Sequence, residues 1–149
     1  MSKAPAMNLL IDVANEAVEA AARSMQQAAK ERDNAKEQLE LLHSYRLDYA
    51  QRLVQSGEGG LSATNYLNFQ RFLATLDDAI SQQNSIVAQS ESKLETGRKQ
   101  WYEEKRRLGA YETLQARQLQ QLAAKEAKRE QRASDEIAAT LYRRNQGKH

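Results

Sequence analysis

The residues of this 149-residue chain with types suited to chemistry are two histidines, one glycine cluster, one basic triplet and scattered carboxylates. His43 and His149 stand far apart in sequence, and His43 lies among Leu42, Ser44 and Tyr45. A solvated helix histidine accounts for it better than a general base, which needs a partner within hydrogen-bond reach. The glycines at 57, 59 and 60 fall between Gln55 and Ser62 without the Gly-Lys-Ser/Thr ending or the preceding strand of a phosphate-binding loop. The carboxylates are interleaved with Lys and Arg at helical spacing, so surface pairing explains them better than acid–base catalysis. Lys105, Arg106 and Arg107 read as a solvated face around Trp101 and Leu108, and nearby Asp and Glu break any continuous phosphate footprint. There is no cysteine, which excludes disulfides and thiolate metal sites. The expectation is a protein that is not an enzyme, with no catalytic residue, no cofactor and no metal.

The elements carrying these residues are long helices. Ala, Glu, Gln, Lys, Arg and Leu dominate, with 6% aromatic and 28% charged residues, a mixture suited to long helices or a coiled coil. Much of the apolar content is alanine, which has little area to bury at about 25 cal/mol per Å². A thin seam is expected rather than a thick core. The longest apolar runs, such as Leu9 to Ile11, fall far below the ~18 residues of a membrane span, and Asp12 interrupts the N-terminal apolar stretch. No cleavable signal peptide is legible, and a cytoplasmic location without membrane insertion is expected. A net charge of +2 is too small to imply nucleic-acid binding.

Pro5, the only proline, sits where a helix can begin. From there Met7, Ala14, Ala21, Ala28, Ala35, Leu42 and Tyr49 recur every seven residues. The companion row is Ile11, Val18, Met25, Arg32, Leu39, Arg46 and Leu53. Two offset heptad rows are the pattern of a coiled-coil strand. The glycines between 55 and 62 reach φ > 0 freely and are poor helix formers, so the chain is expected to turn there. Beyond it, Leu73, Ile80, Val87, Leu94, Trp101 and Leu108 form a second seven-spaced row, interrupted at Gln115 and resumed at Leu122. A weaker row runs Phe69, Leu76, Gln83, Ser90, Gly97, Glu104, Tyr111. The fold class expected is all-α. It is an antiparallel two-helix coiled-coil hairpin in a single domain, with helix 1 over about 6–54, a turn at 55–62 and a longer helix 2 over about 63–143. Ser62 or Thr64 can cap the second helix. Reflection about residue 59 sets Ala35 near Gln83, Ala21 near Gly97 and Met7 near Tyr111. Gly97 is then explained by close approach, and Gly109 by a bend. Met1 to Ala4 and Asn145 to His149 are expected to be loose.

Two surfaces could carry function. Near the turn, Gln38, Leu42, Tyr45 and Tyr49 share the spacing i, i+4, i+7, i+11 with Phe72, Leu76, Ala79 and Gln83. Each set forms one helical stripe. Both stripes can be hairpin core, yet two helices cannot enclose so many aromatic positions, and exposed aromatics mark partner surfaces. At the other end, helix 2 outruns helix 1 from about Glu112. From Gln115 to His149 it carries eight basic residues, including Arg117, Lys125, Lys128, Arg129 and Arg132, against four acidic ones. Such an end either frays or enters a complementary acidic or apolar ring or groove.

The chain resembles the flagellar export protein FliJ family. The stretches that carry the resemblance are Glu37, Gln38 and Leu39 with Leu42, Tyr45 and Tyr49, then Asn68 to Phe72 with Leu76, Ala79 and Ile80. Trp101, Lys105, Arg107 and Leu108 follow, with Thr113 to Arg117. The order and spacing over most of both helices, with the glycine turn in place, make the match more specific than any single motif. The resemblance implies an antiparallel coiled coil similar to the central stalk of rotary ATPases, the γ subunit. It also implies three partners. The two termini together would enter the hexameric flagellar export ATPase and promote ring assembly. The cytoplasmic domain of the export-gate membrane protein would bind Gln38, Leu42, Tyr45, Tyr49, Phe72, Leu76 and Ala79. Flagellar export chaperones for late substrates would be escorted. Gln83 stands where a histidine would fit the family pattern better. The basic end, from Arg117 through Lys125, Lys128 and Arg129 to Arg132, would face the ATPase. The implied location is the cytoplasmic face of the inner membrane at the flagellar base. Three other readings remain: the equivalent stalk of a virulence type III secretion system, a coiled-coil export chaperone, and a basic amphipathic membrane binder, which the interleaved charges oppose.

Overall fold

A computed structural model describes residues 3–58, 60 and 62–147 as two α-helices, with no strand among them. Helix α1 spans Lys3–Glu58 and α2 spans Ala63–Gln146, 56 and 84 residues long, so the second is the longer by far. The chain is an all-α hairpin. Pro5 is the third residue of α1, where backbone N–H groups have no intrahelical acceptor, so its missing donor is harmless. Lys3 and Ala4, expected to be loose, are already helical. Met1, Ser2, Lys148 and His149 lie outside the described residues.

The reversal is tighter than the glycine content implies. Gln55 to Glu58, expected in the turn, complete α1, and Gly57 is helical. Gly60 has φ +85°, a left-handed conformation that glycine adopts without a Cβ penalty, and its N–H donates to the Gly57 carbonyl at 3.5 Å. Ser62 then caps α2: its Oγ accepts from the Asn65 N–H at 3.2 Å and its carbonyl from the Tyr66 N–H at 3.0 Å. At the far end α2 runs through Asn145 and Gln146, which the sequence reading left loose. Arg143 and Arg144 occupy its last turn, favourably placed for the helix dipole, and the Gly147 N–H closes on the Arg143 carbonyl at 3.0 Å.

By contact the chain divides into two compact units, one formed by the described residues up to Glu16 with those from Lys105 onward, the other by Ala17–Glu104. In the second unit α1 and α2 run antiparallel. Its buried apolar residues are Ala21, Ala28 and Ala35 on α1, and Leu76, Ile80 and Leu94 on α2. Alanine methyls face larger side chains across a narrow seam, and no large side chain is fully enclosed. In the first unit Met7 and Ala14 are buried, and the Gln115 amide donates to Asn8 Oδ1 at 2.7 Å. Both heptad rows of α1 therefore face inward, the first fully buried as far as Ala35 and the second half-buried throughout.

The alignment of the two helices differs from the reflection about residue 59. Ala35 does meet Gln83, but Gly97 packs on Met25, whose Cα lies 3.5 Å from the position a Cβ would take, rather than on Ala21. Arg46 pairs with Asp77 and Lys93 with Glu31, pairs whose midpoints fall near residue 61 or 62. The shift follows from α1 continuing to Glu58 before the chain turns. Gly109 differs from Gly97 in having nothing within 4 Å of a Cβ.

Candidate protein-docking surfaces

The stripe near the turn lies wholly in the second unit. Tyr49 and Phe72 join its two halves, with ring centroids 4.3 Å apart and planes tilted by 34°. Phe69 adds a second ring to Tyr49 at 6.1 Å, and the Arg52 guanidinium carbon sits 5.7 Å from the Tyr49 centroid. Aromatic pairs of this kind contribute about 0.5–1.5 kcal/mol beyond area burial. Tyr49 is consequently half-buried by its own neighbours, as are Leu42 and Ala79. Tyr45 is 55% exposed and Phe72 41%, and Gln38 is exposed. Leu76, at 8%, belongs to the seam and supports the stripe from beneath. The surface that a partner can reach is thus Tyr45, Phe72 and Gln38, flanked by the half-covered Leu42, Tyr49 and Ala79.

One exposed residue went unnoticed in the sequence. Ile86, 46% exposed, falls on the row of Phe72 and Ala79 at the same interval of seven. That row was the signal, but the reading followed the i, i+4, i+7 stripe and stopped at Gln83. Gln83 itself is not on the surface. It is 8% exposed, and its Nε2 donates to the Ala35 carbonyl at 2.9 Å.

Ion pairs span the helices beside the stripe. Arg46 Nε and Nη2 donate to the two oxygens of Asp77, the planar two-point geometry that suits a carboxylate. Lys93 pairs with Glu31 at 2.9 Å and Lys36 with Glu91 at 3.1 Å. The hydrogen bond from Arg46 holds the Asp77 carboxyl below its ordinary range, and raises Arg46 further above neutrality. The hydrogen bond from Lys93 does the same to Glu31. All of these groups are solvent-facing, so the pairs fix alignment more than they add stability.

The second surface lies in the first unit. Arg117, Lys125, Lys128, Arg129 and Arg132 are all exposed, on a part of α2 whose side chains from Leu119 to Ala138 are exposed without interruption. At about 100° per residue, Leu119, Leu122, Ala133, Ile137 and Leu141 fall along one side of this helix. Lys125, Lys128, Arg132 and Arg143 fall along the opposite side, while Glu126 and Glu130 interrupt the apolar stripe. The arrangement presents a protein-sized, two-faced helix rather than a cavity. Among the described residues no cluster of His, Cys, Asp and Glu is placed to hold a metal ion, and no helix is long and apolar enough to cross a membrane.

Comparison with known proteins places this geometry. The family model described as flagellar FliJ protein matches residues 2–147. The flagellar FliJ proteins of Salmonella typhi and Escherichia coli strain K12 are each 33% identical over 138 residues, covering 93% of this chain and 94% of theirs. Among solved structures, a YscO homolog, CT670 from Chlamydia trachomatis, aligns over 100% of this chain and 98% of its own with a TM-score of 0.53. At 12% identity that likeness is one of fold.

Proposed function

The chain belongs to the flagellar FliJ protein family, and from that premise we propose that it is a non-enzymatic stalk and coupling factor of the flagellar type III protein export apparatus. The exposed, two-faced end of α2 engages the export ATPase hexamer and promotes its assembly. The stripe of Gln38, Leu42, Tyr45, Tyr49, Phe72 and Ala79 engages the cytoplasmic domain of the export-gate membrane protein, with Leu76 supporting it from the seam. Export chaperones are escorted by the same protein, which works at the cytoplasmic face of the inner membrane.

The observation that carries this reading is the exposure of Tyr45 and Phe72 beside a pair of rings already stacked on each other. Large aromatic side chains left half in water on a preformed support have the character of interface anchors. Titration of the gate's cytoplasmic domain with the wild-type protein and with Tyr45→Ala tests it. Tyr45→Ala is expected to weaken binding by roughly tenfold or more, the loss of a hot-spot side chain, with helix content unchanged. Equal affinity would remove the gate from this surface. Substrate chaperoning without an ATPase would predict instead that unfolded export substrates bind and the ATPase does not.

A further inference from the structure

Gln83 is the one buried polar residue among those described, and its amide ends on a helix carbonyl of the opposite strand of the hairpin. That carbonyl is reachable because residue 35 is alanine. A longer side chain would cover it. The Ala35 carbonyl also belongs to α1, where an α-helical N–H partner is already available to it. The Gln83 bond is therefore an addition to the helix rather than a repair.

The seam around it specifies alignment poorly. Ala14, Ala21, Ala28 and Ala35 repeat the same small residue every seven positions, so larger residues of α2 meet a similar surface at several offsets. The turn does not forbid a slip, since closing a few more residues into a loop costs little. A shift of half a heptad would carry Gln83 beside Arg32 or Leu39, both half-buried with long side chains over their backbone. Its amide would then be buried without an acceptor, which is costly. A shift of a whole heptad would bring it to Ala28 and an equivalent carbonyl, but would separate Tyr49 from Phe72 and Arg46 from Asp77.

We infer that Gln83 is a positioning residue: its bond to Ala35 excludes half-heptad offsets and so holds Tyr45 and Tyr49 of α1 level with Phe72 and Ala79 of α2. Gln83 acts on the docking stripe without being part of it. The role in alignment stands by itself. Its consequence for gate binding rests on the function proposed above.

Because the chain has no cysteine, Glu19→Cys with Asp78→Cys gives two specific sites for spin labels. Both sites are exposed and lie in the same unit. The full-length chain is expected to show one narrow distance population. Gln83→Leu keeps an apolar seam and folds, and adds a second population displaced by about 5 Å, the rise of three to four helical residues. Gln83→His, which restores an N–H donor, recovers a single population. Apparent affinity for the gate domain falls in Gln83→Leu by the reciprocal of the aligned fraction, and recovers in Gln83→His. One unchanged narrow population in Gln83→Leu would overturn the inference, as would a failure of Gln83→His to rescue a split one. A second population with unchanged gate affinity would uphold the alignment role and refute the gate assignment of the stripe.

Discussion

Truncating Tyr49 and truncating Tyr45 should have opposite consequences, although the two residues are one helical turn apart on the same stripe. Tyr49 is half-buried, stacked on Phe72 at 4.3 Å and on Phe69 at 6.1 Å, with Arg52 at 5.7 Å from its centroid. A fully buried aromatic costs about 3–5 kcal/mol when cut to alanine, so half-burial accounts for about 2. The ring pair adds about 0.5–1.5 kcal/mol and the exposed cation over the ring about 0.5. Tyr49→Ala is therefore expected to destabilise the hairpin by about 2–4 kcal/mol. Tyr45, 55% exposed, should change stability by less than about 0.5 kcal/mol. Equilibrium urea unfolding followed by circular dichroism separates the two, and a double-mutant cycle of Tyr49→Ala with Phe72→Ala should return a coupling of about 0.5–1.5 kcal/mol. Equal costs for Tyr45→Ala and Tyr49→Ala, or zero coupling between 49 and 72, would refute the argument that Tyr49 supports the stripe while Tyr45 presents it. The contrast also decides which variant reports on binding: a lost partner in Tyr45→Ala is lost contact, whereas in Tyr49→Ala it includes a weakened hairpin.

The glycines of α2 give a second contrast. Gly109→Ala meets open space and should stabilise the protein by up to about 1 kcal/mol in thermal melts. Gly97→Ala makes ordinary contact with Met25 and is tolerated, while Gly97→Leu has no room 3.5 Å from the Met25 Cα and should lower the melting temperature. Ser62→Ala removes the α2 cap and should cost about 1 kcal/mol, read from the same urea curves. The carboxyls of Asp77 and Glu31 titrate below their unfolded values. Their contribution is complete above the ordinary carboxylate range and is lost as pH falls through the lowered folded values. Stability measured against pH should flatten on the acid side in Asp77→Asn with Glu31→Gln, and an unaltered slope would contradict the pairing.

The heptad was legible because burial follows it so closely: Met7, Ala14, Ala21, Ala28 and Ala35 are each buried, and the rest of the α1 rows are half-covered. Helix α2 was less legible. Leu76 and Gln83 belong to its weaker row yet are buried, whereas Leu122 belongs to the stronger row and is 57% exposed. Hydropathy cannot register that a glutamine amide will find a carbonyl left open by an alanine. Nor can it register that a leucine lies where the seam has ended. The alignment was displaced because α1 absorbs Gly57 before the chain reverses at Gly60. Glycine cost alone did not reveal this, since one helical glycine at a helix end is a minor penalty. Of the stripe, the spacing identified its members but not their depth. Tyr49 and Tyr45 look alike in sequence and differ in the structure by the rings that Tyr49 meets.

The measurement that bears most directly on the stalk reading is the hydrolysis rate and hexamer content of the cognate flagellar export ATPase, with the full-length chain and with a chain ending at Gln118. The account predicts that the full-length protein raises both. It predicts that the shortened one raises neither, because the exposed part of α2 carrying Lys125, Lys128, Arg129 and Arg132 is gone, while the hairpin of Ala17–Glu104 keeps its helix content. Equal stimulation by the two chains, or none by either, would contradict it.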